Sequence, residues 1–216
     1  PFKDYNSSCS RETKYKALGA EGNVPEGDLY AMQSPDGIHW TMMSQEPVMT
    51  EGAFDSQNLA FWDSERGEYR AYVRDFLEGR RAIKTCTSKD FLEWSDSVWL
   101  NYPNASKQQL YTNQVIPYYR APHIFLGFPT RYVERDWSYS MESLPDQESR
   151  FVRAKEVKRY GTALTEGLFM TSRDGVTFQR WEDPFIPPGP EGNEGWAYGD
   201  NYQNWGTVET KSKIPG

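Results

Sequence analysis

Cysteine and histidine are scarce in this chain of 216 residues: Cys9 and Cys86, His39 and His123, and no others. Two cysteines build neither a disulfide scaffold nor a multi-cysteine zinc site, and the two histidines lie far apart, so the sequence predicts no metal and no other cofactor. Basic blocks are missing too. The balance of 24 Lys and Arg against 31 Asp and Glu gives a net charge of −7, which argues against a nucleic-acid surface or an anionic membrane as partner and suits a neutral ligand better. The longest apolar stretches, LAFW and HIFLGF, fall far short of the roughly 18 to 20 residues of a membrane-spanning helix. A leader is also lacking: the chain opens on Pro1, and the expectation is a removed targeting segment or a piece cut from a longer protein. Glycosylation-type triplets at Asn6 and Asn104 are too short a pattern to fix a compartment.

What the sequence has is aromatic material and repetition. Aromatic residues make up 15% and hydrophobic residues 37%, ample for a packed core. Three segments match one another: LYAMQSPDGIHW (29–40), IKTCTSKDFLEW (83–94) and LFMTSRDGVTFQRW (168–181). Each reads as a short strand, Ser-x-Asp, a turn and a tryptophan. That order suits a β-hairpin, because Asp-Gly favours a tight turn and Ser and Asp side chains bond backbone groups within it. Trp40, Trp94 and Trp181 are expected in the core between repeats, with Asp36, Asp90 and Asp174 as turn residues.

Ser34 and Ser88 are 54 positions apart, Ser88 and Ser172 are 84 apart. Residues 133–160 are charged and poor in strand pattern, and removing those 28 restores an interval of 56. They are predicted to be an insertion, helical near RFVRAKEVKRY. The unit 55–100 reads as four strands: NLAFWD, EYRAYVRDF, RAIKTCTS and LEWSDSVWL. Four antiparallel strands recurring every ~55 residues are the signature of a β-propeller blade. The predicted fold is therefore all-β, one propeller domain over 1–216, with blades at about 14–50, 55–100 and 111–187 and a further one opening at 196. A propeller needs at least four blades to close. The expectation is an incomplete portion that self-associates or is completed by another segment.

Innermost strands of a propeller all start on one rim, so polar residues at those starts converge. This selects Asp55, Gln57 and Asn58, then Asn113 and Gln114, then Asp200, Asn201 and Gln203. Second strands return to that rim, which adds Arg74, Asp75 and Arg131. His123 heads a strand, and Glu209 lies in a strand-like GTVET. With Tyr111, Trp196, Tyr198 and Trp205, these amides, acids and rings make a surface suited to sugars, whose hydroxyls need directional partners and whose C–H faces stack on rings.

The Ser-x-Asp-Gly hairpins at blade spacing, together with FDSQNLAFWD, resemble the five-bladed propeller glycosidases, the superfamily of glycoside hydrolase families 32 and 43. More narrowly, KYKALGAEGN, GAFDSQNLAFWD, LYTNQVIPYYRAPHIFLGFPTRY and YGDNYQNWG are similar to a group of bacterial proteins assigned to that superfamily. The resemblance implies a glycosidase acting on a plant or algal oligosaccharide or polysaccharide in an extracellular or periplasmic setting. It implies three carboxylates at innermost-strand starts, of which Asp55 fits the orienting Asp and Asp4 stands near the first. Where the family has its acid Glu, this chain carries Thr112, Asn113 and Gln114, leaving Asp200 or Glu209 as the acid. A non-catalytic sugar-binding propeller and a protein-interaction propeller remain as alternatives.

Overall fold

The computed structural model describes residues 1–21, 27–189 and 200–211. The first sheet takes its strands in sequence order, β1 (Phe2–Lys3), β2 (Tyr15–Glu21), β3 (Asp28–Ser34) and β4 (Thr41–Met42). The unit expected at about 14–50 begins earlier, since Phe2–Lys3 adds a strand at its edge by pairing with Lys16 and Tyr15. The second sheet is a four-stranded antiparallel meander of β5 (Leu59–Asp63), β6 (Glu68–Leu77), β7 (Arg80–Ser88) and β8 (Val98–Trp99).

Strand β6 is buried on both faces from Tyr69 to Arg74, because a sheet packs on each side of it. Successive side chains point to opposite faces of a strand. Tyr69 and Ala71 accordingly join Ala31, Ala60, Cys86 and Phe91, while Tyr72 joins Phe61, Ile83, Phe125, Met170 and Phe178. The β6–β7 turn at Glu78 and Gly79 has φ of 52° and 75°, the left-handed pair of a two-residue hairpin.

The third region departs from a simple blade. The segment LYTNQVIPYY holds two strands, β9 (Leu110–Thr112) and β10 (Ile116–Tyr118), with Gln114 left-handed at φ 48° between them. The next strand is likewise split at Pro129, which has no N–H for a ladder, into β11 (Ala121–Gly127) and β12 (Thr130–Val133). The chain then leaves the sheets, forms α1 (Gln147–Glu156), and returns as β13 (Leu164–Gly167), β14 (Met170–Ser172) and β15 (Phe178–Arg180). A four-stranded sheet runs β10-β11-β14-β15, and a three-stranded one β13-β12-β9. The excursion thus sits at the tip corresponding to Glu78–Gly79 in the second sheet. Its helix is fastened by Trp137 stacked on Phe151 at 4.7 Å and by the buried Arg150, whose Nε donates to the Pro145 carbonyl at 2.8 Å.

The architecture is nearly all-β and propeller-like, and among the described residues no sheet closes on itself. No described helix is long and apolar enough to cross a membrane.

The three hairpins share one hydrogen-bond network. Ser34 Oγ accepts from Gly37 N at 2.8 Å, Ser88 Oγ from Phe91 N at 2.8 Å, and Ser172 Oγ from Gly175 N at 2.9 Å. In each, one carboxylate oxygen of Asp36, Asp90 or Asp174 accepts from the N–H groups two and three positions on. The third turn residue is left-handed each time: Gly37 at 80°, Phe91 at 72°, Gly175 at 77°. The tryptophans behave otherwise than expected. Trp40 and Trp94 are half-buried, and their Nε1 groups donate to Gly37 O and Phe91 O at 3.1 and 3.2 Å. Trp181 is half exposed. The residue six positions after Ser172, matching Trp40 and Trp94, is the fully buried Phe178.

The two glycosylation-type asparagines are engaged within the fold. Asn6 Nδ2 donates to the Tyr69 hydroxyl at 3.2 Å and Asn104 Nδ2 to Arg180 O at 3.0 Å.

Candidate functional site

The segment Phe54–Asn58 leads into β5, and Tyr111–Val115 bridges β9 and β10. The two are stitched together by Ser56 Oγ, which donates to Tyr111 O at 2.9 Å. Gln57 and Gln114 form a reciprocal pair: Gln57 Nε2 donates to Gln114 Oε1 at 2.6 Å, and Gln114 N to Gln57 Oε1 at 3.3 Å. Gln114 Nε2 in turn donates to the Gln203 carbonyl. Two strand starts and the strandless segment at Gln203, far apart in sequence, therefore meet in one seam. Asn113 is buried and donates to Tyr72 O at 3.4 Å, while Asn58 holds Phe54 O at 2.9 Å. The side-chain oxygens of Asn58 and Gln203 are buried without a partner.

Beside the seam lies a stack of arginines and rings. Arg74, with its side chain 4% exposed, pairs with Asp55, whose side chain remains 33% exposed. Its guanidinium sits 5.1 Å from the Tyr111 ring and 5.5 Å from Phe76. Arg81, facing Phe76 across the β6–β7 ladder, lies 5.4 Å from Tyr111 and 4.7 Å from Tyr132. Tyr202 meets Tyr111 edge-on at 5.9 Å. Cations over ring faces are held by the ring quadrupole, which fixes the rings as well as the guanidinium groups.

Asp200 borders this stack on the β13 side, where Thr165 pairs across the ladder with Tyr132 and its hydroxyl oxygen accepts from Asn201 N at 2.7 Å. The Asp200 residue keeps an open surface, yet desolvation of its carboxyl raises its pKa above the ordinary value, against the opposing pull of Arg153, Arg150 and a Thr165 hydrogen bond. Trp205 lies further along the seam, its Nε1 donating to Val115 O at 2.9 Å.

Five residues expected on this rim are elsewhere. Asp4 is fully buried, paired with Lys16 and accepting from the Tyr69 hydroxyl at 2.6 Å. Tyr69 is five residues before Arg74 on β6, about 17 Å away at strand rise. Asp75 points to the opposite face from Arg74, as its neighbour on a strand must, and pairs with Lys84 at 2.8 Å. His123 is exposed near the β10–β11 turn, which antiparallel pairing puts at the far end from Gln114. Glu209 lies at that same turn, 57% exposed, ion-paired with Arg120 and accepting from the Tyr119 hydroxyl at 2.6 Å. The segment 200–211 forms no strand. Arg131 faces a separate group, donating to Glu166 at 2.6 Å and Gln108 at 3.2 Å. Tyr198 and Trp196 lie outside the described residues.

Arg81, Tyr132 and Tyr202 were not selected from sequence. For Arg81 a signal existed, since it lies across a two-residue hairpin from Phe76 and only two strand positions from Arg74's partner Ile83. Among the described residues no group of three His, Cys, Asp or Glu is placed to hold a metal ion.

No family model and no curated protein matches the chain. Solved structures do. An N-acetylgalactosamine deacetylase from F. plautii in complex with blood group B trisaccharide is similar at 13% identity and a TM-score of 0.51, covering 81% of this chain and 50% of its own. An α-L-arabinofuranosidase from Fusarium graminearum (11% identity, TM-score 0.46, 82% and 50% covered) and a glycosyl hydrolase from Bacteroides ovatus (12%, 0.45, 82% and 49%) are more distant and add no argument. The likeness to the deacetylase is one of fold. This chain spans about half the length of the structures it matches.

Proposed function

We propose that the rim formed by Asp55, Arg74, the Gln57–Gln114–Gln203 seam and Tyr111 and Tyr202 is a carbohydrate site, and that the protein is a glycoside hydrolase built on a five-bladed propeller. The observation that carries this reading is the meeting of two amide-bearing strand starts, at Gln57 and Gln114, with the strandless segment of Gln203, beside an ion-paired aspartate and edge-on rings. Amides read sugar hydroxyls directionally, and tyrosine faces take their C–H surfaces. The fold likeness to a deacetylase bound to a trisaccharide supports a carbohydrate ligand.

Glycosidic cleavage needs one carboxyl that is protonated and one that is ionised. Asp200, whose desolvation favours the neutral acid, is assigned the proton donor. Asp55, fixed beside the Arg74 guanidinium, is assigned the ionised partner that stabilises positive charge on the sugar ring. A second reading, a non-catalytic sugar-binding propeller, is favoured by one observation: Gln114, which stands where the resemblance calls for an acid, is locked into hydrogen bonds with Gln57 and Gln203.

A glycan panel with wild type and Asp55→Asn, read for both sugar release and ligand retention, separates the two. Loss of release with retained binding supports the hydrolase. Binding without release in wild type supports the second reading, and absence of any glycan binding overturns both.

A further inference from the structure

Among the arginines at the ends of these sheets, the partly buried Arg81 stands apart; Arg173, which also lacks an ion pair among the described residues, is exposed. Arg66, Arg74, Arg80, Arg120 and Arg131 each pair with a carboxylate. The buried Arg180 has no carboxylate partner, but its two terminal nitrogens donate to Gln108 Oε1 and Ser106 O at 2.6 Å each. Arg81 makes one hydrogen bond, from Nη1 to Gln109 Oε1 at 2.6 Å, and among the described residues it meets no carboxylate. Its Nε is buried without a partner. Rings of Phe76, Tyr111 and Tyr132 surround the guanidinium at 5.8, 5.4 and 4.7 Å. Of five N–H donors fixed in a plane, one meets an acceptor among the described residues.

Two guanidinium groups therefore flank Tyr111 while a single carboxylate, Asp55, answers them. An unanswered cation in a partly desolvated setting is costly, and ring faces offset only part of that cost. A planar anion matches the remaining donors in bidentate geometry. The chain's net charge of −7 points to a neutral ligand, but the charge that a ligand meets is local, and beside Tyr111 it includes the Arg81 guanidinium, which has no ion pair among the described residues.

We infer that the sugar taken by this rim is anionic, a uronate or a sulfated sugar, with its carboxylate or sulfate held by Arg81. This rests on the carbohydrate reading above and narrows its substrate class.

The test uses matched oligosaccharides that differ only in charge: uronate oligomers with their carboxyl-reduced counterparts, and sulfated galactose oligomers with their desulfated counterparts. Binding is measured for wild type, Arg81→Gln and Arg81→Lys, with melting temperature as the control for folding. The expected result is that the charged member of a pair binds wild type at least about tenfold more tightly than its neutral counterpart. Arg81→Gln should remove that preference and Arg81→Lys keep part of it, since a lysine retains the charge without the fork. The pair that responds, uronate or sulfate, identifies the anion. Equal binding of charged and neutral members, or a preference that survives in Arg81→Gln, overturns the inference and leaves the carbohydrate site standing. Binding of no member of any pair removes the carbohydrate reading itself.

Discussion

Strand β6 has two ends, and its polar neighbours are satisfied in different ways at each. At the Tyr69 end the hairpin is closed by local bonds, Ser88 and Asp90 taking the N–H groups of the next few residues, while Asp4, reached from the first sheet, is fully enclosed by Lys16 and Tyr69. At the Arg74 end the bonds join separate segments of the fold, and Asn58 Oδ1, Gln203 Oε1 and the Nε atoms of Arg74 and Arg81 are left over, against Arg70 Nε beside Tyr69. A closed local network fixes a turn. An open one, assembled from distant segments with unanswered donors and acceptors, is what a ligand completes.

The contrast is broken most sharply at Asp200. Asp200→Asn removes the proposed proton donor and is expected to lower turnover by about 10²–10⁴-fold with little change in binding. Because desolvation raises the Asp200 pKa, the protonated form persists to higher pH than for an ordinary aspartate, so wild-type activity should fall on the alkaline side of that raised value. A rate profile with no such limb, or an unchanged Asp200→Asn, removes this residue from the chemistry.

Next in size is the closed end. Gly175 is left-handed at φ 77°, and a Cβ there would meet Arg70 Cζ and the Tyr72 hydroxyl at 3.0 Å. Gly175→Val should destabilise the fold by about 1–3 kcal/mol, read as a lowered denaturant midpoint. Ser172→Ala leaves the buried Gly175 N–H unanswered and should cost about 1–3 kcal/mol, whereas Ser34→Ala should cost less because the turn at Gly37 is open to water. Equal costs at the two serines would show that burial does not decide the value of these bonds.

The smallest effect is on acid stability. The carboxyl of Asp36 is held well below its ordinary value by the His39 side chain and by backbone N–H groups, and that of Asp90 by the Glu93 N–H. A depressed folded pKa contributes stability above the unfolded value of about 4, and that contribution is lost as pH falls through the folded one. Asp36→Asn should therefore flatten the loss of stability below about pH 4, as followed by unfolding at stepped pH.

The hairpins were legible in the sequence because their chemistry is local: Ser, Asp and a left-handed third residue act within six positions. The segments of Gln57, Gln114 and Gln203 do come together, but not as three repeated strand starts, since 200–211 forms no strand and Gln203 joins through its backbone carbonyl. Which end of a strand a residue occupies was harder to read. Asp4, His123 and Glu209 are at or near strands, but only the antiparallel pairing shows that they are at the far end. Asp75 is different, because the two-residue period already separates it from Arg74. Trp181 misled through two similar letters in different registers, the true counterpart being Phe178.

The central claim is that function belongs to the open end of β6 and structure to the closed one. It is tested most directly by comparing Asp55→Asn with Asp90→Asn in the same glycan assay, with melting temperature measured alongside. The account predicts that Asp55→Asn loses turnover by about a hundredfold or more while its melting temperature holds, and that Asp90→Asn loses melting temperature while its turnover, measured below that temperature, holds. The reverse pattern, or equal effects of both on turnover, would contradict it.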